Sequence, residues 1–243
     1  MADQQKKVKG VVDIVFLLDI TGSMGHCIEA MKNNISAFVD YLTTKNANNQ
    51  SPVKHWRAKI VGYRDFEEDA IPFFDNPFVE DAAQLKTQLG KLEADGGGDI
   101  PESLLDALYK VANMGQTEKG AATLDPGKWR YRSDAARVVV IFTDAPYKEV
   151  MVEPAGGTLQ DVVNIVHNNR IILSIFAPNM PAFDKLCEID KSEFNAIDCD
   201  TSDPHGPQNA LAAFTADQAN FRKTMEQLAK SVSKSAEVPP VEV

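Results

Sequence analysis

The stretch Val11-Val12-Asp13-Ile14-Val15-Phe16-Leu17-Leu18-Asp19-Ile20-Thr21-Gly22-Ser23-Met24-Gly25 decides the fold. Val11 to Leu18 is apolar and largely β-branched apart from Asp13, which suits a strand covered on both faces. The run stops at Asp19, and small residues suited to a tight turn follow. Beyond them Ile28, Met31, Ile35, Phe38, Val39 and Leu42 recur at helical spacing, one face of a long first helix. The reading is strand, turn, helix.

The same alternation continues along the chain. Val138 to Phe142 and Ile171 to Ala177 are buried-strand runs, Ala58 to Tyr63 is a weaker one, and Pro72 to Phe78, with two prolines, suits only an edge. Helical faces are carried by Leu104, Leu105, Leu108, Val111 and Ala112, by Leu159, Val162, Val163 and Val166, and by Phe221, Met225, Leu228 and Val232. Repeated strand-then-helix units imply right-handed crossovers. The expected fold is a single doubly wound, mostly parallel α/β sheet of order 3-2-1-4-5-6, with one antiparallel edge strand and helices on both faces.

No internal repeat or linker divides the 243 residues, so one domain over residues 8–235 is expected. Residues 1–7 read as a flexible N-terminus and 236–243 as a disordered tail. Two long irregular stretches, 115–135 and 198–208, stand out as loops.

At 44% hydrophobic and 25% charged, the composition is that of a globular protein. No apolar run approaches the ~20 residues of a membrane-spanning helix. Lys6, Lys7 and Lys9 precede an apolar run broken by Asp13, without a small-residue cleavage site, which does not read as a signal peptide. Cys27, Cys187 and Cys199 are odd in number and lack CxxC spacing, so neither a disulfide framework nor a cysteine zinc site is expected. A cytoplasmic setting is the expectation. The net charge of −10 repels phosphate backbones and leaves cations and proteins as candidate partners.

The chemistry lies where strands end. Asp19, Thr21 and Ser23 place a carboxylate and two hydroxyls at alternate positions of the first turn, a donor set for a hard cation. Asp144 closes the strand at 138–142, and strands one and four meet at the switch point of such a sheet. Gly96-Gly97-Gly98-Asp99-Ile100-Pro101-Glu102 opens the helix of Leu104 and turns Asp99 toward the same crevice. Each residue also has an ordinary reading. Thr21 and Ser23 could cap the first helix, Asp99 with Glu102 resembles a capping box, and Asp144 suits a turn. Their convergence on one crevice favours a metal site formed by Asp19, Thr21, Ser23, Asp99 and Asp144.

These residues resemble the von Willebrand factor A domain with its metal ion-dependent adhesion site. That family carries DxSxS after strand one, a threonine in a glycine-rich loop and an aspartate closing strand four. The resemblance runs from Val11 to about Val232. It implies that Thr21 and Ser23 bind the ion directly, that the aspartates act through waters, and that an acidic residue of a partner protein completes the shell. Mg²⁺ is the ion expected, with Mn²⁺ or Ca²⁺ as alternatives. Two departures are visible: Thr21 replaces a serine, and Asp99 replaces the loop threonine, adding a third carboxylate. The pair of motifs is similar to an intracellular and bacterial subgroup that includes proteins associated with alpha-kinases.

Other chemistries fit less well. A haloacid dehalogenase-like phosphatase needs DxD, and position 21 is Thr. GxxxxGK[ST] and GxSxG are absent, and the glycine run fails GxGxxG at its third glycine. His26, His55, His167 and His205 are scattered, and the acidic stretch 198–203 departs from a calcium loop at Asp203 and Asn209. Arg64, Asp65 and Tyr147 are candidates for a rim that meets a partner. The expected function is non-enzymatic: a divalent-metal-dependent protein-binding module within a multi-protein complex. Its alternative is a metal-dependent enzyme or regulatory subunit acting on phosphate.

Overall fold

The computed structural model describes residues 10–45, 52–98 and 100–237. β1 (Val11–Asp19) is buried along its whole length. It leads through a short 3-10 turn into α1 (Gly25–Thr43). β2 (His55–Tyr63), β3 (Phe73–Asp75), α2 (Ala82–Gly90), α3 (Leu104–Ala112), β4 (Ala136–Phe142) and α4 (Leu159–Asn168) follow. The chain ends with β5 (Ile171–Pro178), α5 (Asp184–Cys187), β6 (Glu193–Ile197), α6 (Gly206–Ala216) and α7 (Gln218–Glu237). The six strands form one sheet of order β3-β2-β1-β4-β5-β6. All neighbours run parallel except β3 on β2. The architecture is the doubly wound α/β sheet expected from the sequence.

Alternation in the central strands fills two cores. Val12, Ile14, Phe16 and Leu18 of β1 face the layer of α1 and α7, where Phe16 meets Phe38 edge-on at 5.2 Å. Val15 and Leu17 face the layer of α3 and α4. Such all-apolar strands are stable only between two helix layers.

The N-terminal ends of the strands are closed by charge. Asp13, fully buried, accepts from Arg57 Nε at 2.9 Å and Nη2 at 2.7 Å, and from the Arg130 backbone N–H at 2.7 Å and Nη1 at 2.6 Å. These pairs let β2 begin at His55, three residues before the apolar run that marks it in the sequence. Arg57 Nη2 also donates to Lys128 O at 2.6 Å, which fastens the irregular 115–135 stretch over this edge. Trp129 anchors the stretch, its Nε1 donating to Val111 O at 2.9 Å.

Four elements, α2, α5, β6 and α6, are absent from the sequence reading. α2 and β6 carry too few apolar positions to declare themselves. α6 starts at Gly206, inside the stretch read as a loop, with Pro207 in its first turn. α7 runs to Glu237, and Ala236 O accepts from Gly10 N at 3.1 Å. Residues 1–7 and 238–243 lie outside the described residues. Among the described residues, no helix is long and apolar enough to cross a membrane.

Candidate metal centre

β1 delivers Asp19 to the C-terminal edge of the sheet, where its carboxylate is fully buried. Asp19 Oδ1 accepts from the Thr21 backbone N–H at 3.0 Å and from Thr21 Oγ1 at 2.7 Å. Asp19 Oδ2 accepts from Thr143 Oγ1 at 2.8 Å. The hydroxyl of Thr21 therefore serves this carboxylate and not a helix end. α1 starts at Gly25, and neither Thr21 nor Ser23 caps a helix with its side chain. Asp144 follows β4 and is 2% exposed, with the exposed Ser23 hydroxyl hydrogen-bonded to it.

The electrostatics follow from burial. Loss of solvent, and then the neighbouring Asp144 charge, push the Asp19 carboxyl up from its ordinary range. Burial raises Asp144 as well, against the hydrogen bond from Ser23. Cys27, beneath the turn, is raised by burial and by both carboxylates. Among the described residues, neither Asp19 nor Asp144 has an ion-pair partner.

The glycine-rich loop lies against the turn. Gly22 N donates to Gly96 O at 3.2 Å, and Asp95 N to Ile20 O at 3.1 Å. Gly97 has φ +83, and a Cβ there would sit 2.4 Å from Thr21 Cγ2, so this close approach requires glycine. Asp99 lies outside the described residues.

Glu102 has a different place from the one its sequence suggests. Its backbone N–H donates to Pro146 O at 2.8 Å, and its carbonyl accepts from Lys148 N at 2.8 Å. That bridge holds Glu102 extended, so α3 begins at Leu104 and not at the glycine run, and the capping-box reading is corrected. The Glu102 side chain is 4% exposed, and its Oε2 has no hydrogen-bond partner. Burial, then the Asp19, Asp65 and Asp144 charges, raise it to about 8. The Tyr63 hydroxyl, also buried, is pushed well above its usual range by burial and by Asp19. Glu102, Thr143 and Tyr63 were not assigned site roles from sequence. The signal available was the position of Thr143 beside Asp144 and of Glu102 beside the glycine run.

The three rim candidates are placed differently. Asp65 is fully buried, accepting from Lys148 Nζ at 2.8 Å and Ser103 Oγ at 3.2 Å. Tyr147 is 9% exposed, packs edge-on against Phe183 and donates its hydroxyl to Ala182 O at 2.6 Å. As surface contacts these two are corrected: their polar atoms are spent inside the protein. Arg64 is half-buried, its Nη2 donating to Glu93 O at 2.9 Å and its guanidinium 5.1 Å from the Phe74 ring centre.

The structure thus brings Asp19, Thr21, Ser23 and Asp144 together. Among the described residues, no three His, Cys, Asp or Glu side chains form a metal-holding group. The donors are instead two carboxylates with hydroxyls on them. This oxygen-only set, its two carboxylates buried and without a counter-charge, fits a hard divalent cation.

Comparison with known proteins agrees with the architecture. Residues 13–232 match the von Willebrand factor type A domain family. The alpha-protein kinase vwkA of Dictyostelium discoideum is 26% identical over 135 residues, which is 56% of this chain but 18% of the kinase. The chain thus spans less than a fifth of that relative's length. The pilus adhesin SpaC of Lactobacillus rhamnosus GG superposes with TM-score 0.54 at 13% identity, over 95% of this chain and 31% of the adhesin. Proximal thread matrix protein 1 from the mussel byssus superposes with TM-score 0.50 at 14% identity, over 89% of this chain and 46% of that protein. At such identities the two structures speak to the fold. With the strand order, the DxTxS turn and a match over nearly its whole length, the chain belongs to the von Willebrand factor type A domain family.

Proposed function

We propose that this chain is a divalent-cation-dependent protein-binding module whose docking face is the C-terminal edge of the sheet, around Asp19 and Asp144. The observation that carries this reading is the pair itself: two buried carboxylates at one crevice, without a cationic side chain, bearing the Thr21 and Ser23 hydroxyls. Burying such charges is costly unless a counter-charge arrives. Mg²⁺ is the cellular ion proposed, with Mn²⁺ and Ca²⁺ as substitutes. Thr21 and Ser23 would hold it directly, Asp19 and Asp144 through its waters, and Asp99 would add charge. The ion would supply an electrophilic centre for an oxygen of the partner.

The surroundings support a protein partner. Among the described residues the exposed large hydrophobic side chains are Ile71, Ile100 and Val150, at 62%, 49% and 60% exposure. They stand on the loops that follow β2, precede α3 and follow β4. These loops are tied together by Lys148, which bonds Asp65 and Glu67 through its side chain and Glu102 through its backbone. Apolar side chains around a polar centre are the anatomy of an interface. A cytoplasmic complex is the setting proposed, consistent with three unpaired cysteines.

The test is calorimetric titration with Mg²⁺, Mn²⁺ and Ca²⁺, followed by capture of partners from native lysate with and without EDTA. Metal-enhanced capture that Asp144→Ala abolishes is expected. Metal-stimulated phosphoester turnover without capture would overturn the reading in favour of an enzyme.

A further inference from the structure

The stretch 115–135 is fastened over the N-terminal edge of the sheet, at the end of β1 opposite the metal centre. Trp129 N donates to Gly115 O at 2.9 Å and Thr117 N to Trp129 O at 2.8 Å, so its two arms are tied to each other. Between this strap and the first residue of β1 lies an open cavity of about 310 Å³. That volume is at the lower end of small-molecule sites, which run from about 300 to 1,000 Å³. Val11, Ala121 and Leu124 give it apolar walls, and Arg130 and Asp134 put opposite charges on its lining. His55, which is exposed, also lines it.

Neither charge is spent on the other. Among the described residues, Asp134 has no ion-pair partner, and Arg130 pairs with Asp13 through Nη1 and with Glu80, at 3.5 Å, through Nη2. Arg130 is 7% exposed, whereas the Glu80 side chain is 67% exposed, and so open a pair holds the Nη2 group weakly. Charge inside this edge is also unbalanced. Arg57, Arg130 and Arg137 are all buried around one buried carboxylate, Asp13. Arg137 donates to the carbonyls of Arg130 and Asn169 and to Gln116 Oε1, none of them an anion. Burial, with the Arg132 and Arg57 charges acting against Asp13, lowers the Arg137 guanidinium to about 10. A carboxylate entering the cavity would supply counter-charge that the protein lacks here. Asp134 is oriented by Gly120 N, which donates to Oδ2 at 2.6 Å, and by Ser133 Oγ, which donates to Oδ1 at 3.3 Å. Each oxygen keeps a lone pair for a further donor.

We propose that this cavity binds a small zwitterion with an apolar body, of the class of a free aliphatic amino acid. Its carboxylate lies on Arg130, its ammonium on Asp134 and its side chain against Val11, Ala121 and Leu124. A simple anion would be repelled by Asp134 and a simple amine by Arg130, so a lining of both signs favours a ligand of both signs. The site is separate from the metal-dependent reading above and does not rest on it.

The experiment titrates the full chain with L-leucine, 4-methylpentanoate, leucinamide and glycine, followed by calorimetry and ligand-observed nuclear magnetic resonance. Leucine should bind saturably. 4-Methylpentanoate, which lacks the ammonium, and leucinamide, which lacks the carboxylate, should each bind about 10-fold or more weakly, the loss of one charge-assisted hydrogen bond. Glycine, without the apolar body, should also bind more weakly. Asp134→Asn should weaken leucine by a similar factor while 4-methylpentanoate binds unchanged or tighter, a coupling that a merely structural role of Asp134 would not produce. Ala121→Trp, which fills the cavity, should abolish leucine binding, and if it does not fold, Ala121→Phe is read in the same way. Arg130 is left in place because it also holds Asp13, and leucinamide tests its end of the cavity instead. Either analogue matching leucine within twofold would make this a site for one charge and overturn the proposal. Leucine binding that Ala121→Trp leaves intact, or none at millimolar concentration, would overturn it as well.

Discussion

Thr143 Oγ1 donates to Asp19 Oδ2 across 2.8 Å, joining the C-terminal ends of β4 and β1 through two fully buried side chains. A carboxylate held on both oxygens, by Thr143 on one side and Thr21 on the other, cannot rotate freely. Thr143→Val keeps the shape and deletes the donor. It should cost about 1–3 kcal/mol of stability, the penalty for a buried acceptor left short of a bond. Urea unfolding with an unchanged slope measures it, and a midpoint equal to wild type would show that Asp19 does not depend on Thr143.

Asp19→Ala and Asp144→Ala should abolish divalent-metal binding while leaving the fold intact. Each deletion removes a buried carboxylate whose neighbour repels it in the metal-free protein. Titration with Mg²⁺ or Mn²⁺, alongside circular dichroism, decides. Folded variants that bind with wild-type affinity would sink the assignment of the site.

Sequence patterning made the middle of the sheet readable because β1, β4 and β5 are covered on both faces and so are apolar at nearly every position. The edges were harder. β6 is a five-residue strand, Glu193–Ile197, whose partly exposed positions carry no alternation. β2 hides its first residues behind Arg57 and Lys59, which look like surface charges until Asp13 and Asp75 are placed against them. At the site, Asp19, Thr21, Ser23 and Asp144 stood out because they end strands, and strand ends in this topology converge. Glu102 did not, because its position is set by a backbone bridge to the β4 loop some 45 residues on, a contact that no local spacing encodes. Asp65 and Tyr147 illustrate the reverse, as polar loop residues that tertiary contacts draw inward.

A cation that binds only the folded chain should raise the melting temperature by mass action. At 100 times its dissociation constant the gain is about 2.7 kcal/mol. For a domain of this size that is a rise of about 5–10 °C. Differential scanning calorimetry against Mg²⁺, Mn²⁺ and Ca²⁺ measures it. A melting temperature unmoved at millimolar concentrations of all three would argue that the turn needs no ion.

The Lys148–Asp65 pair predicts a pH dependence on the acid side. Burial alone would raise the Asp65 carboxyl, but the Lys148 ammonium, the Glu67 backbone N–H and the Ser103 hydroxyl together hold it below its ordinary value of 3.8. A carboxyl lowered in the folded state contributes stability that is complete above that ordinary value and is lost as pH falls through the lowered one. Lys148→Met should therefore destabilise the protein near neutrality and flatten the loss of stability between pH 4 and lower pH. Denaturant unfolding of both proteins across that window tests it, and parallel curves would exclude the pair as the source.

The last prediction separates the fold from the site. Asp13 is enclosed at the N-terminal edge, where Arg57 and Arg130 both bond it and Arg137 packs beside Arg130, its Nε donating to Arg130 O at 3.1 Å. Asp13→Asn is nearly isosteric but removes the buried counter-charge of two guanidinium groups, which water does not readily reach. Breaking a buried pair from one side in this way costs about 3–5 kcal/mol. The metal-binding residues lie at the other end of β1, so the energetic damage should not reach them. Urea unfolding should show the full loss, while Mn²⁺ affinity of the folded variant, titrated at low temperature, should stay within twofold of wild type. A variant that kept its stability would mean that the arginines find enough support in the backbone carbonyls of 125 and 128, to which Arg57 also donates. A variant that lost Mn²⁺ affinity while folded would show instead that the two ends of the strand are coupled, with β1 acting as a rigid link between the arginine cluster and the metal centre.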